Sequence, residues 1–194
     1  MARPREFDPQ AALQTAIEVF WEKGYFDGSV DEVVKRSGVA KYGIYGTFGT
    51  KRELFLQVLE QYGKDRRHDM LKLIYQPDAS LPEIRKFFQE APKRVMHENS
   101  KRRGCLMCNT GIEIGAQDAE IRSIINRFFA EQAGVFEACL ARAVENDELS
   151  KDTDTKRLAN FLSRELRLML MLAGSGESLA EIQDHLEVAL QVLD

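Results

Sequence analysis

Repeatedly along the chain a hydroxyl residue stands three places ahead of a glutamate at the head of an apolar-periodic stretch. Three such places are Ser29-Val-Asp-Glu32, Thr50-Lys-Arg-Glu53 and Ser178-Leu-Ala-Glu181. In each, the hydroxyl can accept the third backbone N–H while the carboxylate reaches back to the first, so the pattern starts a helix. No segment shows the sustained two-residue alternation of a half-buried strand. The chain is therefore expected to be all-α, with about nine helices separated by Gly, Pro, Ser or Asp.

The first helix opens on Asp8-Pro9, an N-cap acceptor followed by proline at the first helical position. Leu13, Ile17, Phe20 and Trp21 share one face, and Gly24 is placed to end it. Val30, Val33 and Val34 are the buried stripe of a two-turn second helix that Gly38 ends. A third helix covers roughly Lys41 to Phe48, with Ile44 and Phe48 inward, and Thr50 starts a longer fourth. Further on, a helix begins near Leu81 after Pro77, and a short one holding Cys105 and Cys108 lies between Gly104 and Gly115. A long helix runs from Asp118 to Asn146, another follows Asp152-Thr-Asp-Thr155, and Ser178 starts the last.

The run from Ser29 to Lys51 is a capped helix, a tight turn at Ser37-Gly38-Val39 and a second short helix, the layout of a helix-turn-helix. The second helix offers Lys41, Tyr42, Tyr45 and Thr47, with little bulk at Gly43 and Gly46. A cation, hydroxyls and small residues are what a helix needs to enter a groove of double-stranded DNA. Lys51, at the start of the following helix, is placed to hold a phosphate together with backbone N–H groups. Ser29 caps the first helix of the motif beside the same surface, and Arg3 and Arg5 precede it on a short basic arm suited to phosphates or a minor groove.

From about Ala12 to Leu59 the sequence resembles the DNA-binding domain of the TetR family. The shared pattern is Gly24-Tyr25, Ser-Val-Asp-Glu-Val-Val, Ser-Gly-Val, Ile44-Tyr45 and Phe48-Gly-Thr-Lys-Arg-Glu-Leu-Phe55, about a quarter of the chain. The resemblance implies a homodimeric, all-helical repressor on a palindromic operator, with a C-terminal regulatory domain. It places Lys41, Tyr42, Gly43, Tyr45 and Thr47 on the helix that contacts bases and phosphates, and Lys51 at the phosphate clamp. Two departures stand out: Ala40 replaces the usual Ser or Thr N-cap of that helix, and Gly46 replaces a larger residue. The expected division is a helix-turn-helix domain over residues 1–52 and a sensing and dimerisation domain over 53–194, with the helix from about 50 to 75 connecting them.

Composition is that of an ordinary globular chain, with 44% hydrophobic and 30% charged residues and a net charge of −4. Residues 1–67 carry 11 Lys/Arg against 10 Asp/Glu, and the rest 16 against 21, an asymmetry too weak to decide on a nucleic-acid partner. No apolar run reaches bilayer length and Met1-Ala-Arg-Pro-Arg-Glu reads as no signal peptide, so the expectation is a cytoplasmic protein without a membrane partner. Three cysteines form no disulfide framework, in keeping with a reducing compartment.

In the C-terminal part, the penultimate helix is apolar nearly all round from Leu166 to Leu172, and the last shows Ile182, Leu186, Ala189, Leu190 and Leu193 on one face. Leu166, Leu170, Ile182, Leu186 and Leu190 are expected to serve a four-helix dimer interface, with intrachain core as the alternative. A small-molecule effector is expected among Phe88, Met107, Phe128 and Phe129, residues that otherwise serve as plain core. Cys105, at a helix start after Arg102 and Arg103, sits where charge and dipole favour a thiolate. Gly-Cys-Leu-x-x-Asn also resembles a TetR branch with electrophile- and oxidant-sensing repressors, so a Cys105 sensor assisted by Cys108 stands beside the reading of both as small buried hydrophobes. Cys105-Leu-Met-Cys108 has the spacing of a zinc knuckle and of a redox dithiol. It lacks a second ligand pair for the first and a strand-helix-strand context for the second, and both are set aside. No cofactor or metal is expected. An enzyme lacks a phosphate loop, a ligand cluster and a nucleophile–base pair. A helical interaction module leaves Ser29–Lys51 unexplained, and activation in place of repression stays open.

Overall fold

A computed structural model describes residues 7–98 and 103–194; the arm bearing Arg3 and Arg5, and also Lys101 and Arg102, lie outside them. Among the described residues the fold is nine α-helices and no strand, as the periodicity predicts. They are α1 (Pro9–Asp27), α2 (Val30–Ser37), α3 (Lys41–Phe48), α4 (Lys51–Met70) and α5 (Leu81–Glu98). Then come α6 (Leu106–Glu113), α7 (Ala119–Glu145), α8 (Thr155–Ser175) and α9 (Leu179–Ala189), with a last 3-10 turn over Leu190–Leu193.

The caps behave largely as the sequence dictates. Thr50 with Glu53, and Ser178 with Glu181, form reciprocal boxes. The third is half-formed. Ser29 Oγ accepts the Glu32 N–H at 3.2 Å, but the Glu32 carboxylate turns to Arg36 at 2.8 Å instead of closing back. Gly38 ends α2 at φ 71°, a left-handed conformation that favours glycine.

Gly24 differs from expectation. At φ 74° it interrupts α1 without ending it, and one more helical turn runs to Asp27. The added turn has its own cap from a distant partner. The backbone N–H groups of Tyr25 and Phe26 donate to the Glu113 carboxylate at 2.9 and 2.8 Å. Glu113 is the last residue of α6, so the fold itself creates the extra helix start.

One core runs through the molecule. Phe20 of α1 meets Phe55 of α4 edge-on at 5.0 Å, over buried Val33, Ile44 and Phe48 from α2 and α3. Behind them, α7 and α8 lie along one another, and the Ser163 hydroxyl donates to the Phe129 carbonyl at 3.3 Å. Phe88 of α5 stacks on Phe136 of α7 at 5.6 Å. No helix of the described residues is long and apolar enough to cross a membrane.

Candidate nucleic-acid interface

Helix α3 is two turns long, so burying Ile44 and Phe48 forces the residues between them outward. Tyr42 is 71% exposed and Tyr45 43%, and Lys41, Gly46 and Thr47 are also open to solvent. Lys41, Tyr42, Tyr45 and Thr47 are thus all exposed on one short helix. As Ala40 implied, α3 begins without a side-chain cap hydrogen bond, which leaves its first N–H groups to water or to a ligand.

The two glycines of α3 differ. A β-carbon at Gly46 would meet nothing within 4 Å. One at Gly43 would lie 3.2 Å from Val39 and 3.3 Å from the Phe7 ring, so Gly43 allows close packing inside the head and is half-buried beneath it.

The cations of the surface are held in place. Lys41 Nζ lies 2.7 Å from Asp31 Oδ1 in the first turn of α2, and this hydrogen bond raises the lysine's proton affinity. Lys51 Nζ donates to the Phe26 carbonyl at 3.0 Å and sits 4.9 Å above the Tyr25 ring. Ser29, its oxygen accepting from Glu32, is exposed beside them. Pairing patterns in the sequence did not single out Asp31 or Tyr25; both act across element boundaries.

Besides the Glu113 cap, the head is tied to the body at three places among the described residues. Trp21 Nε1–H donates to the Gly104 carbonyl at 3.1 Å. Arg103 pairs with Glu18 at 2.5 Å and with Glu22 at 2.9 Å. Arg52 reaches Asp118 and Glu120, each at 2.8 Å, and its guanidinium is the main reason that the Asp118 carboxyl is held down at about 2. With the Glu113 cap, both ends of α6 are fastened to α1. None of these partners could be paired from sequence, because each lies more than 60 residues from the other.

In the body, Met107 and Phe128 are buried and Phe129 partly so, beneath the Arg167 guanidinium at 4.6 Å. The crevice beside Met107 and Phe128 measures only about 10 Å³. Phe88 instead joins a groove of about 680 Å³ between α5 and α9, walled also by Arg85, Leu186 and Leu190. Leu166, Leu170, Ile182 and Leu186 are buried within this one chain, and Leu190 is half-buried. Because α8 is apolar nearly all round, it has a second face. Phe161, Leu168 and Leu172 are half-buried and Met171 is exposed; Val192 lies beside Phe161, and Val188 of α9 is exposed too.

A small exposed helix bearing a cation and hydroxyls, carried on a packed three-helix head in front of a helical body, defines a helix-turn-helix transcriptional regulator. Residues 12–58 match the model of bacterial regulatory proteins of the tetR family, and residues 80–189 the tetracyclin repressor-like C-terminal domain. The chain belongs to the TetR family. It is 31% identical to the HTH-type transcriptional regulator YezE of Bacillus subtilis over the whole of both chains. It is 26% identical to the HTH-type transcriptional repressor ComR of Escherichia coli, over 93% of this chain and 86% of that one. Among solved structures, a cysteine mutant of the TetR family regulator CifR complexed with 26-base-pair operator DNA superposes with a TM-score of 0.78. Its identity is 25%, over 97% of this chain and 98% of that one.

Proposed function

We propose that the chain acts in the cytoplasm as a homodimeric repressor. Two α2–α3 heads hold the half-sites of a palindromic operator, and a small-molecule effector acting on the C-terminal part releases them. The observation that carries this is the exposed set Lys41, Tyr42, Tyr45 and Thr47 on a helix anchored by buried Ile44 and Phe48. Ser29, Lys51 and Arg5 are assigned to phosphates, while Gly43 serves from beneath by letting α3 pack closely on the head. ComR's description as a repressor and CifR's complex with operator DNA support the same reading.

One head covers one half-site, and a two-fold partner supplies the other. The outward face of α8 and α9, with Phe161, Leu168, Leu172 and Val188, is the surface offered to a second copy, while Leu166, Leu170, Ile182 and Leu186 support it from within. The functional division is placed at residue 52, with α4 as the helix that connects the two parts. Activation uses the same contacts and differs only in where the operator stands.

Binding of the purified protein to DNA upstream of its own gene, at two salt concentrations, tests the reading. Wild type binds and weakens with salt. Lys41→Ala and Tyr45→Ala each lose about tenfold or more, in line with the 1–3 kcal/mol of a base or phosphate contact. A folded protein that selects no sequence from random DNA overturns it.

A further inference from the structure

The groove between α5 and α9, about 680 Å³, is of the size that takes a small molecule, roughly 300–1,000 Å³. Its α5 wall is one helix face, since Arg85, Phe88, Gln89 and Lys93 follow the three- and four-residue spacing. Gln183, Leu186, Glu187 and Leu190 do the same along α9 and its continuing turn. Phe88 and Leu186, each 2% exposed, and half-buried Leu190 make the floor apolar. Arg85 closes one end, donating to the Leu193 carbonyl at 2.8 Å and to the Asp194 carboxylate at 2.7 Å. That guanidinium is satisfied. Lys93 and Glu187 are not: among the described residues neither makes an ion pair or a side-chain hydrogen bond, with one another or with anything else. The side-chain amides of Gln89, Gln183 and Gln191 stand round the same opening, likewise without a partner. Single polar side chains of this kind are ordinary on a surface, but here a cation, an anion and amides converge over an apolar floor.

We propose that this groove binds a small zwitterion with an apolar side chain, its carboxylate on Lys93, its ammonium on Glu187 and its side chain over Phe88, Leu186 and Leu190. The class follows from charge. A carboxylic acid alone leaves Glu187 unpaired and adds a like charge to its groove, and an amine alone does the same to Lys93. A molecule with both groups completes both. The floor calls for an aliphatic or aromatic side chain, and the glutamine amides can donate to and accept from a peptide bond. Free apolar amino acids and short apolar peptides share this chemistry.

Of the residues expected to meet an effector, Phe88 reaches this groove, whereas the crevice of about 10 Å³ beside Met107 and Phe128 has room for no more than a water. The position also gives the ligand a way to act. Gln183, Glu187 and Leu190 occupy one flank of α9, and exposed Val188 another. The flank with Val188 is the one offered to a second copy of the chain. A ligand seated between α5 and α9 therefore bears on the helix that holds the partner, from the side away from it. This consequence rests on the function proposed above, whereas binding in the groove does not.

Calorimetric titration of the native full-length protein tests the site. The probes are phenylalanine, the dipeptide leucyl-phenylalanine, 3-phenylpropionate, which lacks the ammonium, and phenethylamine, which lacks the carboxylate. At least one zwitterion binds saturably, and about tenfold or more tighter than either half-molecule, the worth of one charged hydrogen bond. Lys93 and Glu187 are both exposed, so Lys93→Gln and Glu187→Gln keep the fold. Each weakens the zwitterion by about tenfold, the first towards the affinity of phenethylamine and the second towards that of 3-phenylpropionate. Tighter binding of the dipeptide assigns the ligand to short peptides, and tighter binding of phenylalanine to free amino acids; both support the site. No saturable binding up to about 10 mM, half-molecules that bind as tightly as the zwitterions, or affinities that neither variant moves overturn the proposal. A mobility shift without ligand runs beside it. Protein that takes up the zwitterion but binds no DNA counts against the repressor reading and leaves the site standing, and protein that binds DNA but no probe strikes the site alone.

Discussion

Glu113 accepts the backbone N–H of Tyr25 at 2.9 Å, and through it the end of α6 caps the last turn of α1 beyond the Gly24 break. The same carboxylate fills the space over Gly24, where an added β-carbon would lie 2.6 Å from Glu113 Oε2. Glu113→Ala is expected to lower stability by about 1 kcal/mol, the usual cost of losing an N-cap. Gly24→Ala is expected to cost more, about 1–3 kcal/mol, because it adds left-handed strain to displacement of the cap. Urea unfolding of the two variants checks the order, and a Gly24→Ala protein as stable as wild type contradicts it.

The Arg52–Asp118 tie predicts an acid dependence. The guanidinium hydrogen bond, then the Ile121 amide, holds Asp118 down at about 2 in the folded protein. An unfolded aspartate titrates near 3.9, at about pH 4, so the folded state favours the ionised form. The contribution is complete above about pH 4 and is lost as pH falls towards 2. Asp118→Asn keeps a side-chain oxygen for the α7 cap but loses the charge. Its stability deficit should be constant near neutrality and shrink below about pH 4. A deficit that grows in acid refutes the sign.

Cys105 should alkylate with a pH midpoint at about 7 rather than near that of an ordinary thiol. Removing its first donor, in Cys108→Ala, should move the midpoint upward, and Tyr62→Phe should do so by less. Iodoacetamide rates between pH 5.5 and 9, on the order of the range over which a thiol titrates, read this directly. A midpoint unmoved by Cys108→Ala would show that the second thiol does not support the first.

The glycines of α3 should respond unequally to alanine. Gly46→Ala enters open space on a helix and is expected to stabilise by about 0.5–1 kcal/mol. Gly43→Ala meets Val39 and the Phe7 ring at 3.2 and 3.3 Å and should lose much of that gain. Thermal melts of both variants decide it.

Much of this was legible because the signals are local. Caps at Ser29, Thr50 and Ser178, the left-handed Gly38, and inward Ile44 and Phe48 all act within one or two helical turns, and the exposed face of α3 follows from them. Gly24 shows the limit. As a helix ender it read correctly up to the break, but the turn beyond it depends on a carboxylate 88 residues away. Leu166 and Leu170 show another. An all-round apolar helix announces two covered faces without saying which residues serve which.

Asp31 gives Lys41 a counter-ion of its own, carried within the head at 2.7 Å. Under the proposed role of Lys41, a DNA phosphate arriving there competes with the Asp31 carboxylate. The gain from this contact is therefore smaller than the lysine alone would give. Random stretches of polyanion, which attract the head by charge alone, gain least from Lys41. Under the same proposal the ion pair lowers the head's attraction to DNA in general, so that a sequence offering more than phosphates stands out against the rest.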